Sequence, residues 1–150
     1  MLNKLLPEQI SKFWPIIKYA IEQSLPPITG EHPDKMNRIL SSSLCGEIDV
    51  WASYVKEGEG VKLEGIILTQ IIYEHVSFTK NLLIYCVYGY AETTNDTWIL
   101  GLGGLAEYAK AKGCSAVIAY SSNSHVIEIA KKLGANIDYT FISFGLNKIV

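Results

Sequence analysis

Residues 82–88 read Leu82-Leu83-Ile84-Tyr85-Cys86-Val87-Tyr88, a run of apolar and aromatic side chains with no charge in it. A half-exposed strand would alternate apolar with polar residues. A run without alternation predicts a central strand covered on both faces. Extended to Ala91, it is about half the length a membrane-spanning helix needs.

Working upstream, Glu74–Lys80 is a polar connection and Val61–Tyr73 a longer strand dense in Ile and Leu. Glu57-Gly58-Glu59-Gly60 marks a hairpin turn. It follows a strand from Ile48 to about Val55, where Ile48, Val50 and Ala52 alternate with Asp49 and Trp51. Before that, Met36, Ile39, Leu40 and Leu44 share one face of a helix over 33–44, which Gly46 stops. The paired prolines of Leu25–Gly30 make a loop. Pro7 opens a first amphipathic helix carrying Ile10, Phe13, Trp14, Ile17 and Ile21 and ending near Ser24. Pro15 falls inside it and should kink it or force an irregular turn.

Downstream the style changes. Thr94, Asn95 and Asp96 are all N-cap residues ahead of a helix over about 97–112, closed by Gly113. Ser115–Tyr120 (SAVIAY) reads as a buried strand, Ser124–Leu133 as a helix closed by Gly134, and Ile137–Phe144 as a final alternating strand. Two helices, three strands in hairpins, then helix, strand, helix, strand give an α/β (α+β) class. The expectation is a mixed, mostly antiparallel central sheet flanked by helices, in one domain over 1–150.

Composition excludes several functions. Apolar residues make up 49% of the chain and charged residues 19%, which is incompatible with intrinsic disorder. Arg38 is the only arginine among 13 basic residues, and the net charge is −2, so nucleic acid is not an expected partner. No membrane partner is expected either. Pro7, Glu8, Lys12 and Pro15 break what an export signal would need as a smooth apolar core. Cys45, Cys86 and Cys114 form no CxxC pair, and His32, His75 and His125 lack ligand spacing. No metal site is expected, and reduced thiols point to a cytoplasmic setting.

The element order, with residues 82–135, resembles the GNAT superfamily of acyl-CoA-dependent N-acyltransferases. The best single match is NSHVIEIAKKLGA, Asn123–Ala135, in which asparagine, helix and glycine fall at the family's separations. The resemblance implies acetyl-CoA as cofactor, lying between Leu82–Tyr88 and Ser115–Tyr120 where those strands splay. It implies backbone groups of Val87 and Tyr88 against pantetheine and thioester carbonyl. It implies the pyrophosphate at the helix N-terminus near Thr94 and Asn95, and Asn123 on the cofactor amide. Asn123 is equally a cap residue for the helix that follows.

The departures are specific. The family's glycine-rich phosphate loop is here Ala91-Glu92-Thr93-Thr94-Asn95-Asp96-Thr97, with no glycine, no cation and two added carboxylates. Carboxylates compete with phosphate for the same helix dipole. Gly101, Gly103 and Gly104 come later, inside the helix, where close packing on the sheet is the expected role. Ala130 stands where the family often places an acid tyrosine; Tyr88, Tyr90 and Tyr120 are near by topology and could substitute in protonating the leaving thiolate, though nothing in the sequence demands it. Ala135 replaces the usual aromatic.

Glu64 and Glu74 are candidate bases for an amine, against a reading as solvated strand-edge or turn carboxylates. His125 is a candidate base or a polar first-turn residue. Two functions stay open. One is an N-acyltransferase with a small-molecule or protein amine as acceptor, Tyr88, Glu74 and Tyr120 carrying the proton chemistry. The other is a catalytically silent module of the same fold, in the style of phage-encoded GNAT-like proteins. Nine tyrosines favour such an interaction role, with a homo-oligomer or virion protein as partner and the host cytoplasm or virion as location.

Overall fold

The structure is a computed structural model and describes residues 2–90 and 94–146. The chain divides into two units, Met1–Ala119 and Tyr120–Val150. The first unit holds β1 (Leu2–Lys4), α1 (Pro7–Lys12), α2 (Trp14–Glu22), α3 (Lys35–Cys45), β2 (Asp49–Glu57), β3 (Gly60–Glu74), β4 (Thr79–Gly89), α4 (Asn95–Ala111) and β5 (Ala116–Ala119). Its sheet runs β1-β2-β3-β4-β5, antiparallel throughout except for the parallel pair β4–β5. The mixed, mostly antiparallel sheet expected from the element order is therefore present. No helix among the described residues is long and apolar enough to cross a membrane.

Strand alternation separates two cores. Val50, Ala52, Ile66 and Leu68 face α1–α3 and pack with Ile10, Ile17, Ile21 and Ile39. Trp51, Ile67 and Ile71 face α4 and pack with Leu105 and Ala109. Trp51 brings a polar ring nitrogen into that second core, where its N–H donates to the buried Thr69 hydroxyl at 2.9 Å. Pairing them avoids the cost of a buried unsatisfied donor, about 1–3 kcal/mol.

Several elements differ from expectation. The first amphipathic helix is two helices broken at Phe13. Pro15 sits in the first turn of α2, where its missing N–H costs no helical bond. β1 was not foreseen, since three residues before a proline carry no readable period; it pairs with β2 in the register Leu2↔Ser53. β5, read as buried, is largely exposed, with Val117 alone of its four residues partly buried against the second core. A Cβ placed on Gly101, Gly103 or Gly104 would meet nothing within 4 Å, so these glycines do not serve close packing. Close approach occurs instead at Gly65, where a Cβ would lie 2.8 Å from the Tyr88 carbonyl oxygen.

The second unit contains α5 (Ser124–Lys132), closed by Gly134 at φ +89°. Residues 137–144, expected as a strand, form no ladder within the second unit among the described residues.

Candidate active site

The phase of β4 changes partway along its length. Thr69 pairs with Ile84 but Leu68 pairs with Cys86, so Tyr85 is an extra residue, a β-bulge. Leu82 and Ile84 face α4, whereas Cys86 and Tyr88 face α1–α3. Without the bulge, two-residue periodicity would keep all four on one face. The parallel pairing with β5 ends at Ile84↔Ala119, one residue before the bulge, while β4 continues to Gly89. Beyond Ile84 the outer edge of β4 has no strand partner among the described residues.

Backbone alternation says which groups lie on that edge. The Tyr90 N–H donates to the Glu64 carbonyl at 2.9 Å, in register with Tyr88↔Ile66. Tyr88 therefore turns its backbone toward β3, and Val87 and Gly89 turn theirs outward. Of the two residues expected to offer backbone to a cofactor, Val87 turns its groups to the outer edge and Tyr88 turns its groups to β3.

The Tyr88 side chain lies in an aromatic cluster. Its ring meets Tyr19 edge-on at 5.8 Å and Tyr90 at 5.0 Å, and the Tyr90 hydroxyl donates to the Ile16 carbonyl at 3.2 Å. The hydrogen bond with Tyr19 raises the Tyr88 pKa, and burial raises that of Tyr90. Both phenols stay protonated at neutral pH, as a proton donor must.

The carboxylates separate. Glu64 is the extra residue of a second bulge, between Ser53↔Gly65 and Tyr54↔Leu63, and accepts from the Ser53 hydroxyl at 3.0 Å. Glu74 sits at the far end of β3, opposite Thr79, and belongs to the β3–β4 turn. It accepts from the Ser77 hydroxyl and the Ser77 and Val76 N–H groups, which hold its pKa below the ordinary carboxylate value. The structure thus sets Glu74 apart from Tyr88 and commits its carboxylate to the turn.

The helix caps are occupied too. Thr94, not Asn95 or Asp96, caps α4, its hydroxyl accepting from the Thr97 N–H at 3.2 Å. The residues 91–93, including Glu92, lie outside the described residues. In the second unit the Asn123 side-chain oxygen Oδ1 accepts from the His125 and Val126 N–H groups at 2.9 and 3.3 Å, so its cap role takes the acceptor. His125 is an exposed first-turn residue of α5, and Tyr120 packs edge-on against Phe141 at 5.1 Å.

A shallow, open depression of about 450 Å³ lies beside the bulge. Tyr85 forms one wall, and residues 28–32 with Lys35, Arg38 and Ile39 of α3 form the others. Sequence reading missed both Tyr85 and this cleft. A bulge is a property of pairing, and nothing in an unbroken apolar run marks which residue will be extra.

No protein-family model and no curated protein matches the chain. Solved structures do. A probable acetyltransferase superposes over 97% of this chain and 96% of its own, with TM-score 0.70 and 13% identity. A predicted acetyltransferase with acetyl-CoA from Clostridium acetobutylicum covers 98% and 97%, with TM-score 0.67 and 15% identity. The ribosomal-protein-alanine N-acetyltransferase of Brucella melitensis biovar Abortus 2308 covers 97% and 99%, with TM-score 0.66 and 12% identity. The likeness to phage-encoded proteins and the interaction-module reading find no support in these neighbours. A mixed sheet whose one parallel pair stops short of a bulged central strand, matched in full-length superposition by acetyltransferases, is the fold of the GNAT superfamily, and this chain has it.

Proposed function

We propose that residues 1–150 act as one acyl-CoA-dependent N-acyltransferase on an amine. The observation that carries this is the backbone of β4 past its last rung with β5, where Val87 and Gly89 have N–H and C=O groups that no ladder uses among the described residues. An unpaired strand edge is a template for extended amide-bearing ligands, and pantetheine is one. Acetyl-CoA is the donor that fits this edge, and a predicted acetyltransferase of the same fold is described with acetyl-CoA.

Acetyl-CoA would supply the activated acyl group: an amine nitrogen bonds to the thioester carbon, the carbon–sulfur bond breaks, and amide plus thiol leave. The proton lost by the amine equals the one gained by the thiolate. The chain's share is to hold and orient. The Val87 N–H is a fixed donor for a developing oxyanion or for a pantetheine carbonyl, and needs no reorganisation to act. Tyr88 and Tyr90, kept protonated, are donors beside the same end of β4. Holding donor and acceptor together supplies most of the acceleration, because a thioester is already reactive toward a free amine. At the α4 N-terminus Thr94 takes the Thr97 N–H, the N–H groups of Asn95 and Asp96 would be the ones to meet a pyrophosphate, and the Asp96 carboxylate works against one.

Calorimetry with acetyl-CoA tests the reading. Binding in the micromolar range is expected, weakened about tenfold or more by Val87→Pro, which deletes an N–H the ladder does not use. A melting curve for V87P close to that of the parent shows the fold intact. No heat at millimolar acetyl-CoA overturns the proposal.

A further inference from the structure

The cleft beside Tyr85 has an uneven charge balance. Lys35 and Arg38 are three residues apart on α3 and so share a face of that helix. The Lys35 ammonium is answered: it donates to the Gly30 carbonyl at 3.1 Å and pairs with Glu31 at 3.5 Å. Arg38, the only arginine of the chain, makes no ion pair and no side-chain hydrogen bond among the described residues. The nearby Asp34 is not a lining residue. His32 accepts the Asp34 N–H on Nδ1 at 3.1 Å, which leaves its Nε2 to carry the proton as a donor. Arg38 and His32, both exposed, thus line the same depression, the guanidinium without a protein partner among the described residues and the imidazole as a donor. Ile28, Ile39 and Tyr85 line it as well.

That pattern selects a ligand. A guanidinium with no protein partner matches a carboxylate or phosphate, two donors to two oxygens. A ligand held there by its acid would extend over the apolar wall toward Tyr85, the bulge residue next to the last β4–β5 rung. We infer that the cleft is the acceptor subsite, and that it takes amines bearing a carboxylate or phosphate, the acid on Arg38 and His32 and the amine toward Tyr85. The inference rests on the acyltransferase reading, since only that reading makes the bulge the reaction end. It goes beyond it by naming the acceptor class.

The test is an NMR titration of the full chain without acetyl-CoA, using two matched pairs: phenylalanine against phenylalaninamide, and phosphoethanolamine against ethanolamine. The expected result is saturable shifts at Arg38 and Tyr85, with the acid-bearing member of at least one pair about tenfold tighter than its neutral partner. The pair that discriminates identifies carboxylate or phosphate as the group recognised. Arg38→Gln should remove the preference, and Arg38→Lys should restore part of it. Equal affinity within both pairs, or a preference that survives R38Q, overturns the inference. A chain that binds acetyl-CoA but shows no charge preference loses only this inference. A chain that binds acid-bearing amines but gives no heat with acetyl-CoA loses the acyltransferase reading instead.

Discussion

Cys86 shows how position sets chemistry at a single residue. The bulge at Tyr85 turns its thiol into the core beneath α1–α3, and burial pushes its pKa up from 9.0 to about 11. Hydrogen bonds with Ser24 and the Leu68 backbone pull it down less strongly. A pKa near 11 leaves about one thiolate in a thousand at pH 8, while Cys45 is exposed. A thiol reagent such as Ellman's should label Cys45 first and leave Cys86 unreacted until the chain unfolds; comparable rates would contradict its burial. The linkage has a definite sign. The raised folded-state pKa contributes stability that is complete below pH 9, and that stability is lost as pH climbs toward about 11. At Gly103 the space is open and helix geometry continues on both sides. Gly103→Ala should stabilise the chain by roughly 0.5–1 kcal/mol, read as a rise in melting temperature. A fall would mean that the open space at Gly103 is needed.

Among the elements, β4 joins the core and the site. Its inner half, Leu82–Ile84, is paired on both sides, and its outer half, among the described residues, only with β3. Amide exchange followed by NMR should therefore alternate along the outer half, slow at Cys86 and Tyr88 and fast at Val87 and Gly89. Uniform protection would mean that some other backbone fills that edge, leaving no template for a donor. Much of this element was legible beforehand. LLIYCVY predicted a central strand because nothing in it is polar enough to face water. The bulge was not legible, since Tyr85 differs in no local way from Ile84 or Cys86. Which residue falls out of register depends on how β3 pairs, and Gly65, Ile66 and Leu68 carry half of that information. Likewise Asn123 and Thr94 were readable as caps from residue type, whereas Glu74 looked like a candidate base until the Ser77 contacts tied it into a turn.

For the whole molecule, element order, sheet class and the two core faces follow from hydrophobic periodicity, because apolar side chains at the right spacing leave few ways to be buried. Local punctuation by Gly46, Gly58 and Gly134, each at positive φ, was equally present in the chain of letters. Tertiary structure decided the rest. It chose where β5 stops, which backbone groups of β4 stay unpaired, and that the loop after α2 meets Tyr85 around a cleft holding an unanswered Arg38. The reason is physical. Burial pattern is a property of one segment and is written along it. Pairing, bulges and clefts are relations between segments far apart in the chain, and they exist only once those segments meet.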